Sequence, residues 1–228
     1  MRNRQRTNRG GSMVEFSLLI PVWLPLLLGT MWLGSAMIRG EQTTEMARDL
    51  ASMYSRGVDF SSTGAGSSNT ILTDITQQLG TVTTAGTGVV IFSEVEFVGK
   101  SVCASAGSTY GSAGPPPTYV ASTCKNEGFF VFRQQYTQGN TSLRSSNFGT
   151  APAGDLDSSN KYQVDAITTY ISDTADRSTF NLLPAPQENI PNTDGYQSGQ
   201  PVYIVEAYFA GAGQAGFTKG GDYAYAVF

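Results

Sequence analysis

Few residues in this 228-residue chain combine the types and the spacing that chemistry at a protein site requires. The sequence contains no histidine, so the commonest general base and the commonest metal ligand are both missing. The stretch DLDSS that begins at Asp155 starts like a calcium-binding loop, but Asn160 and Ala166 stand where that loop needs glycine and glutamate. Glu94 and Glu96 alternate along one predicted strand, which indicates an exposed strand face rather than the opposed acids of a glycosidase cleft. These patterns favour a protein that is not an enzyme and that needs no metal ion or cofactor.

Glu15 is the most distinctive acidic residue, because it lies at the entrance of a long apolar run. The uncharged stretch 16–38 has about 23 residues, and a helix needs about 20 to cross the core of a bilayer. Four arginines precede this stretch and no charge follows until Arg39, so the positive-inside rule predicts a cytoplasmic N-terminus and an exported remainder. A carboxylate near the apolar phase is costly unless it is paired, which indicates a function for Glu15. The alternative is a glutamate that lipid headgroups hydrate.

Gly10 and Gly11 lie between the basic leader and the apolar run. A protease that must approach the backbone closely needs small residues at its cleavage site. Cleavage after Gly10 would make Glu15 the fifth residue of the mature chain, and cleavage after Gly11, the alternative, would make it the fourth. Signal-peptide cleavage near Gly34 is a further alternative, but the apolar run is long for a signal sequence.

The segment RGGSMVEFSLLIPVWLPLLLG resembles the N-terminus of TadE/TadF-like minor pilins, also called pseudopilins. These proteins belong to tight-adherence pili, which are Flp-type, type IV-like pili. The features that carry the resemblance are the basic leader, Gly10, Gly11, Glu15 and Phe16 of the VEF triplet, and Pro21 within the apolar run. A second proline, Pro25, departs from the pattern. The rest of the chain matches such proteins only in its general layout.

The resemblance implies a structural subunit that a prepilin peptidase cleaves after Gly10 and that acts in pilus assembly. Its partners would be other pilin subunits, the pilus assembly machinery and membrane lipid. Glu15 and Phe16 would act in assembly, with Glu15 pairing with the free amine of Gly11 on a neighbouring subunit. Such a protein crosses the bacterial inner membrane once, with a periplasmic head, and enters the surface pilus after assembly. An uncleaved, membrane-anchored adhesin or binding protein is the alternative.

The apolar run predicts a helix that continues beyond the membrane. A stripe of apolar residues follows helical spacing, and its members are Met46, Leu50, Met53 and Tyr54. Gly57 can take the left-handed conformation that ends a helix, so we expect one helix over 13–56. Pro21 and Pro25 each lack an amide hydrogen and predict a kink.

Cys103 and Cys124 are the only cysteines. Two thiols in an exported domain predict one disulfide, and closing a loop of about 20 residues stabilises a protein by roughly 3 kcal/mol in the chain-entropy model. A redox pair or a metal site needs closer spacing or further ligands. We therefore expect a structural disulfide.

The remaining elements predict an α+β fold with a long N-terminal transmembrane helix and an antiparallel sheet of about four strands. Alternating patterns predict strands over 89–98, 129–136, 201–210 and 221–228. Short helices are expected over 71–79 and 161–174. The predicted organisation is a leader over 1–10, the extended helix over 11–56 and an extracytoplasmic head over 57–228. The net charge of −4 provides no basic surface for nucleic acid.

Overall fold

The computed structural model describes residues 11–61, 68–105, 124–152, 162–163, 171–180, 198–211 and 220–228. The chain divides into two units, Met1–Glu41 and Gln42–Phe228. One long helix, α1, begins in the first unit and ends in the second. The sheet lies in the second unit, which we call the head.

Helix α1 spans Gly11–Ser55, within two residues of the predicted bounds. The helix is continuous through Pro21 and Pro25, and the kink expected there stays a prediction. It ends as predicted, because Gly57 has a φ of 84° and its N–H donates to the carbonyl oxygen of Tyr54 at 2.9 Å. Only glycine takes this left-handed conformation without a steric cost, so Gly57 closes the last turn.

The head contains one antiparallel sheet with the strand order β3-β2-β1-β4-β5. Its strands are β1 (Gly88–Phe97), β2 (Phe130–Gly139), β3 (Tyr162–Gln163), β4 (Pro201–Phe209) and β5 (Asp222–Val227). The four longer strands lie within three residues of the predicted ones, and the predicted α+β class is confirmed. Strand β1 is central because β2 and β4 pair with its two sides along most of its length.

One face of the sheet packs against the second half of α1, by which we mean residues 42–55, and against α2 (Ser68–Thr76). The predicted stripe of α1 faces this core, and its Leu50 is completely buried. Phe92 lies at the centre of the face, where its ring stacks on the rings of Phe60 and Tyr136 at centroid distances of 4.9 Å each. Burying a side chain of this size stabilises a fold by about 1.5–3 kcal/mol, so this face contributes strongly to the stability of the head.

Among the described residues, the other face packs against the short helix α3 (Lys100–Ser105) and against segments without regular secondary structure. Its core joins Phe132 and Ile204 of the sheet to Phe180 and to the disulfide between Cys103 and Cys124. The two Cα atoms are 5.7 Å apart, so the predicted disulfide is confirmed. Cys103 lies in α3, which the sequence did not predict.

The helix predicted over 161–174 is wrong where the structure describes it. Residues 162–163 form strand β3 and pair with Gln134 and Gln135 of β2, and residues 174–176 form a single 3-10 turn. Residues 164–170 lie outside the described part of the chain. The sequence has helical spacing here, but residues 162–163 form backbone hydrogen bonds with the edge of β2 instead. Local periodicity does not reveal such a pairing partner.

Candidate functional site: the exposed apolar segment of α1

The apolar segment of α1, residues 16–38, exposes large hydrophobic side chains along its whole length. Phe16, Trp23 and Met31 are each about two-thirds exposed, at 67%, 67% and 68%. Exposed apolar surface of this extent is costly in water and marks a membrane or protein contact. Among the described helices, one is long and apolar enough to cross a membrane, and it contains this segment.

Two of the three hydroxyl side chains in this segment donate hydrogen bonds within the helix itself. The hydroxyl of Thr30 donates to the carbonyl oxygen of Leu27 at 2.9 Å, and that of Ser35 donates to the carbonyl oxygen of Trp32 at 2.8 Å. A hydroxyl in hydrocarbon needs such a partner, because no water is available there. The two hydroxyl groups of Thr30 and Ser35 therefore have the partners that a lipid environment requires.

The structure describes the predicted processing and assembly residues only in part. Gly10 lies outside the described residues, and Gly11 is the first residue of α1. Glu15 lies on the helix one turn after Gly11, but its side chain is outside the description. Phe16, the other predicted assembly residue, is exposed. The roles of these residues in processing and assembly stay predictions.

The two acids predicted to form an exposed strand face are not simply exposed. Alternation places Glu94 and Glu96 on the same face as Phe92, which packs beneath α1. Glu96 is buried and accepts a hydrogen bond from Nη1 of Arg133 at 2.6 Å. Arg133 is the extra residue of a β-bulge, because Gln134 pairs with Glu94 while Phe132 pairs with Val95. A bulge redirects a side chain, and here it brings an arginine to a buried carboxylate.

A second buried carboxylate, Glu206 of β4, was not singled out by the sequence. It is 2% exposed and accepts hydrogen bonds from the hydroxyl of Ser146, from the backbone N–H of Asn147 at 2.9 Å and from the hydroxyl of Tyr223 at 2.7 Å. The guanidinium of Arg144 lies 3.9 Å from the centre of the Tyr223 ring. A lone acid within the apolar strand PVYIVEAYF was the signal available in the sequence, because such an acid must find partners when it is buried.

This cluster joins the loop after β2 to the sheet. Burial, together with the hydrogen bond to Glu206, raises the pKa of Tyr223 above its ordinary value of 10.0. The phenol therefore stays protonated near neutral pH and serves as a hydrogen-bond donor. The three donors come from β5 and from the loop after β2, so Glu206 joins both to strand β4.

The described residues contain no group of three or more histidine, cysteine, aspartate or glutamate side chains placed to hold a metal ion. The DLDSS stretch that begins at Asp155 lies outside the described residues. Asn140 begins an NTS triplet that fits the glycosylation sequon. Its side-chain Nδ2 donates a hydrogen bond to the carbonyl oxygen of Gly86 at 3.0 Å. This amide thus has a structural partner that joins the end of β2 to the turn before β1.

Together these features define a class of protein: an α+β head that follows one candidate membrane-spanning helix. A family model described as TadE-like protein matches residues 10–52, so the resemblance to TadE-like pilins is confirmed over this segment. The match covers the apolar segment and continues into the buried stripe of α1, and it indicates a protein associated with tight-adherence pili. No curated protein and no solved structure matches the chain.

Proposed function

We propose that this chain is a structural minor pilin that is inserted in the bacterial inner membrane and acts in the assembly of a tight-adherence pilus. The observation that carries the proposal is the coincidence of the TadE-like match over residues 10–52 with a helix whose apolar side chains are exposed. Such a helix is suited first to lipid and then to the packed helices of a filament. Its partners are a prepilin peptidase, other pilin subunits and the assembly machinery.

In this proposal the peptidase removes the basic leader after Gly10, and the free amine of Gly11 becomes the start of α1. Residues four apart on a helix lie on the same face, so Glu15 shares a face of α1 with Gly11, and we propose that its carboxylate pairs with the free amine of Gly11 on a neighbouring subunit. A carboxylate paired with an amine loses less on entering an apolar core than either charge alone. Glu15 would thereby select the position at which a subunit joins its neighbour.

Pro21 and Pro25 act on the helix rather than on a partner. Each removes one backbone hydrogen bond from the apolar segment, which lowers the cost of bending the helix locally. We propose that this softness eases transfer of the subunit from the bilayer to the filament. The head, held outside the membrane and cross-linked by its disulfide, contacts other subunits.

The first test is the N-terminal sequence of the protein from membranes and from sheared surface filaments. We expect a mature start at Gly11 in the wild type and in Gly10→Ala, which keeps a small residue, and an intact leader in Gly10→Asp. A start at Ser12 would move the cleavage site to Gly11 without changing the class of processing. An intact leader in every variant and fraction overturns the proposal and favours an uncleaved adhesin.

A second test separates assembly from processing. Glu15→Gln removes the charge but keeps the shape of the side chain, whereas Glu15→Asp keeps the charge. We expect both variants to be cleaved normally, with Glu15→Gln much reduced in sheared filaments and Glu15→Asp less affected. Equal amounts of all three proteins in the filaments would contradict the role of Glu15.

A further inference from the structure

Strand β5 has a row of backbone hydrogen-bonding groups on the side that faces away from β4. Tyr203 and Phe228 exchange two backbone hydrogen bonds, at 2.8 and 2.9 Å, and the register continues from this pair along β4 and β5. Hydrogen-bonded pairs alternate along an antiparallel ladder. The residues of β5 whose N–H and C=O groups point away from β4 are therefore Tyr223, Tyr225 and Val227. Within the described part of the chain, no strand pairs with this outer edge.

This edge lacks the features by which proteins usually protect an edge strand. Such features are lysine or other charges, proline, a bulge or a very short strand. In the sequence of β5, DYAYAV, the only charged residue is Asp222 at its beginning. Beyond it, Tyr225 and Phe228 are 52% and 53% exposed. The opposite edge of the sheet differs, because β3 has two residues and β2 carries an arginine and several glutamines.

We propose that β5 pairs antiparallel with the β5 strand of a second copy of this chain. The outward groups allow a symmetric register in which Tyr225 lies opposite Tyr225 and Tyr223 lies opposite Val227. In this register Ala224 lies opposite Ala226 on the other face, so no like charges face each other over the central five residues. Each of the three pairs exchanges two backbone hydrogen bonds, and the two sheets join into one.

The two strands match in their backbone hydrogen-bonding groups, but the surface that their pairing buries is small. Pairing of two six-residue strands buries less than the roughly 1,000 Å² that a stable interface between free proteins needs. We therefore expect it to form where the copies are concentrated, in a membrane or an assembly, because proximity raises the effective concentration of the second strand. The inference does not depend on cleavage of the leader or on incorporation into a pilus.

The test is disulfide cross-linking of the full chain in its native membranes. Opposed residues of a hydrogen-bonded pair have Cα atoms about 5.5 Å apart, which suits a disulfide. Tyr225→Cys should thus form a covalent homodimer on mild oxidation. Val227→Cys should not, because the register separates the two copies of residue 227 by about 14 Å along the strand. Phe129→Cys provides a control at 44% exposure, outside β5.

Each outcome of this experiment is decisive once mass spectrometry has confirmed the native disulfide between Cys103 and Cys124. A dimer with Tyr225→Cys alone supports the proposal and its register. Equal cross-linking of all three variants indicates random collision and overturns it. The absence of a Tyr225→Cys dimer, or cross-linking to a different protein, also overturns pairing between copies.

Amide exchange provides an independent measurement without added cysteines. In membranes the outward amide of Val227 should exchange slowly, as a paired amide does. Tyr225→Pro removes an outward N–H without removing a bond to β4, so it should restore fast exchange at Val227. Tyr225→Ala removes the exposed ring but keeps the N–H, and should leave exchange slow. Fast exchange at Val227 in the wild-type protein contradicts the pairing.

Discussion

The two halves of α1, residues 16–38 and residues 42–55, are both helical, but the apolar side chains are exposed in the first and buried in the second. In residues 16–38 the large apolar side chains are exposed, as Phe16 and Trp23 illustrate. In the half that belongs to the head, Leu50 and Tyr54 are buried against the sheet. Apolar content alone therefore does not tell what a helix contacts. The first half needs lipid or other subunits to cover it, whereas the sheet of its own chain covers the second.

The largest expected effect comes from removing an aromatic ring from the covered half of this comparison. Phe92→Ala should lower the free energy of unfolding of the head by about 3–5 kcal/mol, because a buried aromatic side chain leaves a cavity. Denaturant unfolding of the full chain in detergent micelles measures the change. Leu27→Ala, a truncation in the exposed segment of α1, should leave the unfolding of the head unchanged. A similar loss in both variants would remove the distinction between the two halves.

The disulfide belongs to the head and should matter only there. Replacing both Cys103 and Cys124 with serine should lower the free energy of unfolding by about 3 kcal/mol, because the open chain gains entropy when it unfolds. The same denaturant experiment measures it. The membrane-bound fraction of the protein should not change. If that fraction falls instead, the stability of the head affects membrane insertion of the apolar segment 16–38.

A charge in the exposed half should have the complementary effect. Leu27→Arg places an arginine near the middle of the apolar segment, which costs about 3 kcal/mol on insertion into a bilayer. We expect a larger share of the protein in the soluble fraction after alkaline carbonate extraction, with Leu27→Ala as the control. Unchanged membrane association of Leu27→Arg would show that this segment is not the anchor.

The smallest effect concerns the response of the head to high pH. Burial raises the pKa of Tyr136 in the folded head above its ordinary value of 10.0, and its phenol oxygen accepts the N–H of Phe60. The unfolded chain then releases the phenol proton at a lower pH than the folded head does. The stabilisation is complete below about pH 10 and is lost as the pH rises further. Unfolding of the head at several pH values should show this decline, and Tyr136→Phe should make it shallower.

Much of the head could be predicted from local sequence patterns. Strands β1, β2, β4 and β5 alternate clearly enough to be placed within three residues, and the glycine that ends α1 was recognised from its position. The pairing of the only two cysteines followed from their number and from the predicted export of the head. The strands and the end of α1 depend on interactions between residues close in the sequence, and two cysteines can form only one intramolecular disulfide.

The errors share one physical cause, which is burial by segments distant in the sequence. Glu96 was assigned to an exposed face because its own strand does not show that a bulge in β2 brings Arg133 to it. Strand β3 was taken for a helix because its pairing depends on the edge of β2. Glu206 was overlooked because its three hydrogen-bond donors come from two other segments.

The sequence by itself determined the long apolar helix, the basic residues before it and its TadE-like pattern, because these depend on local composition and spacing. The tertiary structure decided which half of α1 is covered and which carboxylates are buried. It also decided which backbone groups of β5 face outward, since that follows from the pairing with β4. Hydrogen bonding between strands and packing between layers join residues far apart in the chain, and no local pattern specifies such contacts.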